Sequence, residues 1–325
     1  MKKRDSRVTI RDVAKRASVS ISTASYALNN NPNVSKETRK RVLDAARELN
    51  YYPNASARNL KTNKTGNIGF FIYGFDGPIF GDILEGVNLE LQKANYNIVV
   101  SSGISSAVLL REQQVDAAII FDSNLEDETI YNFAKRNVVV LLDRTLKDKN
   151  IYDFQVENKE IVCVLLEEII AKGYKKIAYL SGPIESPSNQ ERFACFEETL
   201  KRHKMETFKF YEGDFTINTG YKVGVKIAKS GDWPDFVFCA NDESAIGLIN
   251  AFNEFGIDVP NDISVAGFDG ILLGEYIKPR LTTIQIDYKT WGYNIAQFII
   301  SYLQKQKEAI INKPTAKIIY KESTK

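Results

Sequence analysis

Polar and aromatic side chains follow several short apolar runs of this sequence, at positions where loops are expected to begin. In an open parallel sheet, ligands bind beyond the carboxyl ends of the strands, so residues in such loops are candidates for binding chemistry. The hydroxyl groups of a small polyol need paired donors and acceptors, and its C–H faces rest on aromatic rings. The sequence therefore indicates a sugar as ligand. The candidates are Asp143, Ser188, Arg192, Asp214, Phe215, Asn241, Asp242 and Asp269.

Residues typical of enzyme chemistry are scarce. His203 is the single histidine, which excludes an HExxH zinc site and a histidine-based catalytic triad. Cys163, Cys195 and Cys239 lie far apart and are odd in number, so we expect three buried thiols instead of a disulfide framework or a metal knuckle. No phosphate-binding glycine loop occurs. The sequence predicts no metal, no cofactor and no catalytic residue, although paired carboxylates at strand ends could act as acid and base.

Charge is distributed unevenly along the 325 residues, of which 44% are hydrophobic and 26% charged. Residues 1–64 hold 15 basic and 5 acidic side chains, a net charge of +10, whereas the remainder holds 28 and 36, a net charge of −8. A cationic head predicts a polyanionic partner such as nucleic acid. No apolar run reaches the roughly 18 residues of a membrane span, and the charged start is unlike a signal peptide. We therefore expect a cytoplasmic protein with no membrane partner.

The head has the pattern of three short helices. Thr9 and Asp12 form a capping box for a helix over 10–16, and Ser20 caps a second helix through Leu28. A third helix is expected from Ser35 to 49, because its apolar residues recur at helical spacing. Two short helices joined by three residues form a helix-turn-helix, whose second helix lies in the major groove of DNA with its first turn at the base edges.

Three side chains of the second helix are the candidates for reading bases. Ser22 can donate or accept a hydrogen bond, and Ile21 can contact a thymine methyl group. Tyr26, one turn further on, can reach bases or phosphate, or can pack on the surface of the head instead. The docking geometry of the motif favours the contact with DNA.

The stretch VTIRDVAKRASVSISTASYALNNNPNVSKETRKRVLDAARELNYYPNASARNLKT, residues 8–62, resembles the DNA-binding head of the LacI/GalR family of bacterial transcription regulators. The resemblance implies a homodimer on pseudo-palindromic operator DNA and a core whose ligand changes operator affinity. Tyr26 stands where the family often has arginine, so the operator is expected to differ from the usual one. The DNA contacts implied by position are Thr9, Ile21, Ser22, Thr23, Tyr26, Asn29, Tyr51, Asn54, Ala57 and Leu60.

Residues 53–60 match the hinge of that family, which becomes helical on operator DNA and inserts a leucine, here Leu60, into the minor groove. The residues themselves support this interpretation. Asn54 is a good N-cap after Pro53, and Ala57 and Leu60 lie on one apolar edge of a segment too short to be a stable helix alone. A passive linker is the alternative.

From residue 67 onward, apolar runs alternate with helical segments, which indicates parallel sheets with crossover helices. We expect 1–52 to be the DNA-binding domain, 53–66 the hinge and linker, and 67–325 a core of two lobes. The first lobe is expected over about 67–153 plus about 282–312, and the second over about 154–281 plus the C-terminal segment. Strands are predicted at 67–73, 96–101, 117–121, 138–142, 176–180, 207–211, 235–239 and 263–266.

The core segments SGPIESPSNQERFACFEE, EGDFTINTGY, FCANDESAIGLI, DISVAGFDG and PRLTTIQIDY are also similar to LacI/GalR motifs. The implied fold class is an all-α helix-turn-helix head plus an α/β core that resembles periplasmic sugar-binding proteins, with two parallel-sheet lobes. By position, Ser188 and Arg192 match effector contacts, Asn241 and Asp269 match polar contacts, and Phe215 is a stacking aromatic. Tyr288 is a second aromatic at the lobe junction, and the first lobe contributes Tyr73, Phe75 and Asp143.

These features favour a DNA-binding repressor of sugar-utilisation genes whose operator affinity depends on a small effector, with either induction or corepression as the sign. A cytosolic sugar receptor without regulatory DNA binding is an alternative with the same lobes, and a nucleotide-dependent sugar enzyme is another. The tail IINKPTAKIIYKESTK has no sustained apolar heptads, so we expect a dimer without a tetramerising coiled coil.

Overall fold

The computed structural model describes residues 8–52, 64–156, 159–305 and 311–325. The chain divides into two compact units, Met1–Thr65 and Gly66–Lys325. The hinge residues Asn54, Ala57 and Leu60 lie outside the described residues, so their predicted roles stay predictions.

The head consists of three helices at the predicted positions. Thr9 closes the capping box at the first one, because the Asp12 carboxylate accepts hydrogen bonds of 2.8 Å from both its N–H and its hydroxyl. Ser20 and Ser35 cap the other two by accepting from backbone N–H groups, and each such cap stabilises a helix by about 0.5–2 kcal/mol. The helices are α1 Ile10–Arg16, α2 Ile21–Leu28 and α3 Lys36–Glu48, around a core of Val13, Ala14, Ala24, Ala27, Val42, Ala45 and Ala46.

The first lobe is a five-stranded parallel sheet with the order β2-β1-β3-β4-β5. Its central strands are continuous apolar runs, as expected for a parallel sheet that is covered on both faces. The elements are β1 Asn67–Ile72, α4 Pro78–Lys93, β2 Asn97–Ser102, α5 Ile104–Arg111, β3 Ala117–Phe121, α6 Asp127–Ala134, β4 Val138–Leu141 and β5 Ile151–Asp153.

The second lobe is a six-stranded sheet with the order β11-β10-β9-β8-β6-β7, parallel except for β11. The carboxyl ends of β6, β8 and β9 carry the predicted polar loops. The elements are α7 Lys159–Ala171, β6 Ile177–Leu180, α8 Pro187–Arg202, β7 Lys209–Tyr211, α9 Ile217–Ser230, β8 Phe236–Cys239, α10 Asp242–Glu254, β9 Ser264–Asp269, a 3-10 turn Leu272–Glu275, β10 Thr282–Ile286, α11 Tyr288–Leu303 and β11 Ala316–Ile319.

One predicted lobe boundary is wrong. We expected the chain to return to the first lobe at about residue 282, but Thr282–Ile286 pairs with β9 in parallel and belongs to the second sheet. The return begins only with α11, which packs on α4 of the first lobe. The sequence TTIQI mixes polar and apolar residues and lacks the continuous apolar run that is typical of a central parallel strand. The strand is therefore not recognisable from this pattern alone.

Helices α4 and α11 pack against each other at backbone distance. A Cβ atom on Gly86 would lie 2.0 Å from the carbonyl oxygen of Lys289, and one on Gly292 would lie 2.1 Å from that of Ile83. Only glycine fits at these two positions. Because α11 starts at Tyr288, this close packing also fixes where that side chain lies.

The prediction of three buried thiols is wrong for one of them. Cys195 and Cys239 are buried, but Cys163 is only partly buried, because α7 is amphipathic and places this residue at the edge of the core. Within the described ranges, no helix combines the length and the apolar character needed to cross a bilayer.

Candidate nucleic-acid interface and ligand cleft

The first turn of α2 presents side chains to the surface of the head. Ala24 and Ala27 are buried against the other helices, which turns the opposite face outward. Ile21 is 48% exposed and Tyr26 is 45% exposed, and Ser22 is exposed between them. An exposed isoleucine beside a hydroxyl at a helix start has the form needed to contact base edges.

The other predicted contacts of the head also have local structural roles. The Thr23 hydroxyl lies 2.8 Å from that of Ser20, and the Asn29 side chain donates to the carbonyl of Ser25 at 2.8 Å. Thr9 belongs to its capping box, and Tyr51 packs partly buried against the helical core. Thr9 and Asn29 are nevertheless exposed, so their side chains are accessible to a DNA phosphate.

Arg192 is the centre of a buried cluster in the second lobe. Its Nη1 donates to the carbonyl oxygen of Ala240 at 2.5 Å, and its guanidinium lies 3.6 Å from the centroid of the Phe268 ring. Its Nη2 is 4.0 Å from Oδ1 of Asp269, and the Tyr288 hydroxyl donates to that same oxygen at 2.6 Å. Burial raises the pKa of Asp269, while Arg192 and Tyr288 oppose the rise by favouring the charged form.

Asn241 links this cluster to the loop after β7. Its Oδ1 accepts from the N–H of Ser244 at 3.1 Å and caps α10, and its Nδ2 donates to the carbonyl of Phe215 at 2.9 Å. Phe215 has a φ of +67° and Asp269 a φ of +115°, both in the region that favours glycine. Non-glycine residues in such conformations concentrate at functional sites, which agrees with a binding role for both.

Asp242 holds the loop after β9, while the preceding residue, Asn241, caps α10. Its Oδ2 accepts from the N–H groups of Gly270 and Ile271 at 2.8 and 2.9 Å, and its Oδ1 accepts from the Thr283 hydroxyl at 2.6 Å. Burial raises the pKa of Asp242 well above its ordinary value, and the nearby Asp269 adds to the rise. Its role is to position the loop that carries Asp269.

The first-lobe candidates are placed less closely together. Tyr73 directly follows β1, its ring stands edge-on to Phe80 and Phe121, and burial followed by the charge of Asp269 raises its pKa. Asp143 is buried, and neither of its oxygens has a hydrogen-bond partner in the part of the chain that is described. Burial raises the pKa of Asp143 to about 6. Among the described contacts, no hydrogen bond or ring pair joins Phe75 or Ser188 to the Arg192 cluster.

A cavity of about 240 Å³ lies where the two lobes meet and includes two of the predicted residues, Asp269 and Tyr288. Pockets for drug-sized ligands measure roughly 300–1,000 Å³, so this one suits a smaller molecule. Sequence reasoning missed Glu243, although it directly follows the polar pair at 241–242. The lining residues are Pro78, Ile79, Asp82, Glu243, Asp269, Gly270, Ile271, Leu272, Leu273, Ile286 and Tyr288.

Residues 9–54 match the bacterial regulatory proteins of the lacI family, and residues 166–324 match the periplasmic binding protein-like domain. The HTH-type transcriptional repressor PurR of Vibrio vulnificus is 30% identical over 92% of this chain and 93% of its own. A solved Lac repressor dimer, bound to operator and the anti-inducer ONPF, is 26% identical with a TM-score of 0.83 over 98% of this chain and 99% of its own.

A solved sugar-binding transcriptional regulator from Enterococcus faecalis is 32% identical, with a TM-score of 0.72 over 81% of this chain and 98% of its own. The chain belongs to the LacI family of bacterial regulatory proteins. It is a DNA-binding transcriptional regulator with a helix-turn-helix head and a ligand-binding α/β core, and the relatives it matches are regulators, not enzymes.

Proposed function

We propose that this protein is a homodimeric repressor of sugar-utilisation genes whose affinity for a pseudo-palindromic operator is set by a small sugar-like effector in the cleft between the lobes. The observation that carries the proposal is the Arg192–Asp269–Tyr288 cluster beside a cavity that both lobes line. The operator-bound and sugar-binding relatives support the same assignment. The protein acts on chromosomal DNA in the cytoplasm and catalyses no reaction.

In this proposal the exposed start of α2 reads the operator. Ile21 contacts a thymine methyl group, Ser22 bonds a base edge, and Tyr26 reaches a base or a phosphate. Leu60 enters the minor groove as an apolar wedge, and the cost of unstacking is offset by the additional contacts that bent DNA allows. The remaining head residues bind phosphates and fix the register.

The effector changes operator affinity because it prefers one arrangement of the lobes. A coupling free energy of about 1–3 kcal/mol changes operator affinity roughly 5–150 fold. Arg192, Asn241 and Asp269 are the polar groups that would bond the ligand, with Ser188 and Asp143 completing the set. The rings of Phe215, Tyr288, Tyr73 and Phe75 would cover its C–H faces.

Selection of bound duplexes from a random pool by the full-length protein tests the DNA-binding part. We expect a pseudo-palindromic sequence to be enriched, and we expect Ser22→Ala to change the preferred bases. Ser105→Ala removes an exposed hydroxyl near the start of α5 and is the matched control, so it should leave the enriched sequence unchanged. A pool without any enriched sequence would overturn the proposal.

A panel of sugars added to the selected operator complex tests the effector part. We expect one of them to change the apparent operator affinity at least about fivefold. If the operator is bound with the same affinity in the presence of every sugar, control by a sugar is excluded while DNA binding stands.

A further inference from the structure

The walls of the cleft cavity differ in chemical character. Asp82, Glu243 and Asp269 place three carboxylates on it, and its described lining includes no lysine, arginine or histidine. The remaining lining residues are mostly apolar, with Ile271 and Leu272 among them. A ligand of this cavity therefore meets both negative charge and hydrocarbon.

The cation that faces Asp269 already has other partners. Arg192 donates to the carbonyl of Ala240, stacks on Phe268 and approaches Asp269 only through Oδ1, at 4.0 Å. Asp269 is only 8% exposed. Among the described residues, the only hydrogen bond to its carboxylate is the one that the Tyr288 hydroxyl donates to Oδ1. Its Oδ2 accepts none of the described hydrogen bonds, and the residue lines the cavity.

Two of these carboxylates, Glu243 and Asp269, repel each other. Burial, with Asp269 and then Asp76, raises the pKa of Glu243. Burial, with Asp269, Glu243 and then Asp76, also raises the pKa of Tyr73. A positively charged ligand group beside Glu243 and Asp269 would offset the repulsion and would favour the ionised form of each carboxylate.

An aromatic ring completes the surroundings. Tyr288 lines the cavity, and Tyr73, which is outside that lining, is 52% exposed and stands edge-on to Phe80 at a centroid distance of 5.3 Å. Carboxylates beside an exposed aromatic face are the combination that binds an organic ammonium group, through charge-assisted hydrogen bonds and the ring quadrupole.

We propose that the effector is a small polyol that carries a protonated amine, an amino sugar in chemical terms, with its ammonium group against Glu243 and Asp269 and its carbon skeleton on Ile271 and Leu272. The inference rests on the proposed function, because it takes this cavity as the effector site. An anionic sugar, such as a uronate or a sugar phosphate, is expected to be rejected, because it would add a like charge beside Asp82 and Glu243.

Calorimetric titration of the full-length protein with matched sugars tests the proposal. The pairs are glucosamine with glucose, galactosamine with galactose, and mannosamine with mannose, and glucuronate and glucose 6-phosphate are the anionic probes. At least one amine should bind about tenfold or more tightly than its parent sugar, and neither anion should bind. Salt should weaken amine binding and leave neutral sugars unaffected. No binding of any of the three amines, or equal or tighter binding of a parent sugar or an anion, overturns the proposal.

The variant Glu243→Gln assigns the preference to one side chain. It removes the charge at nearly constant shape and should lower the amine-to-parent affinity ratio about tenfold. Glu254→Gln, an exposed change at the opposite end of α10, is the matched control and should leave the ratio unchanged. An unaltered ratio in Glu243→Gln would remove this residue from the amine site.

Operator binding distinguishes the failure of this inference from that of the proposed function. If a neutral sugar changes operator affinity and the amines do not bind, the amine assignment fails and the regulator stands. If no operator is selected at all, the proposed function fails, and the calorimetric preference is still measured independently of DNA.

Discussion

The guanidinium group of Arg192 connects the ends of two strands of the second lobe, which a lysine ammonium would not do. Its planar guanidinium stacks on Phe268 and at the same time bonds the backbone after β8, while facing Asp269 at the end of β9. A lysine ammonium is a point charge and offers neither the stacking surface nor the fork of donors. The side chain therefore holds two strand ends in a fixed relation.

We expect Arg192→Ala to abolish the effect of the ligand on operator affinity while DNA binding without ligand persists, since the head has its own core. Fluorescence anisotropy of a labelled operator, with and without ligand, measures both quantities. Arg136→Ala removes an exposed arginine of the first lobe and is the control. A normal ligand response in Arg192→Ala would exclude this residue from the site.

Asp143 gives the stability of the core a specific dependence on pH. Burial raises its pKa from 3.8 to about 6 in the folded protein. Between these values the folded state keeps a proton that the unfolded chain releases, so the contribution of Asp143 to the free energy of unfolding falls as pH rises from about 4 to about 6. Above pH 6 the ionised carboxylate is a cost to the fold.

The amide in Asp143→Asn cannot ionise, so this variant should be more stable than the parent protein at pH 7, by about 1–3 kcal/mol. The gain should shrink towards pH 4.5, where the parent carboxyl is mostly protonated in the folded state. Urea unfolding of both proteins at the two pH values measures the difference. Equal gains at both would show that charge burial is not the cause.

At the scale of elements, the glycine contact between α4 and α11 sets how closely these two helices approach. We expect Gly292→Ala to lower the free energy of unfolding by about 1–3 kcal/mol, because the new Cβ would press on the backbone of the facing helix. Gly81→Ala on the exposed side of α4 meets no atom within 4 Å and should stabilise by up to about 1 kcal/mol. Urea unfolding compares the two, and similar effects would contradict the close contact.

Local signals along the chain located most of the elements but missed those that depend on distant partners. The serine and threonine caps placed α1, α2 and α3, because capping acts within four residues. β5 has three residues and β11 forms only by antiparallel pairing with β10. Neither strand carries a pattern long enough to be recognised without its neighbour.

At the scale of the whole molecule, the separation of charge assigns nucleic acid to the head. The net charge of +10 over residues 1–64 contrasts with −8 over the remainder. Counterion release makes such binding strongly salt-dependent, with a loss of about 10³–10⁵ in affinity between 50 and 200 mM salt for 6–10 phosphate contacts.

We expect the full-length protein to show this steep loss on non-specific duplex DNA, whereas a fragment of residues 64–325 should not bind at either salt concentration. Anisotropy titrations across a salt series measure the slope for both proteins. A fragment that binds with the same slope would show that the acidic core, and not the head, meets the phosphates.

Short-range patterns were enough to identify the helix-turn-helix head, the two-lobed α/β core and several polar side chains at strand ends, because caps, apolar periods and strand termini act over a few residues. The composition of the cleft needed the folded chain. Asp82 and Glu243 are separated by 161 positions, and they line one cavity only because α4 and the second sheet meet there. Side chains that are so far apart in the sequence show no spacing pattern, so only the packing of the folded chain determines that the cavity is negatively charged.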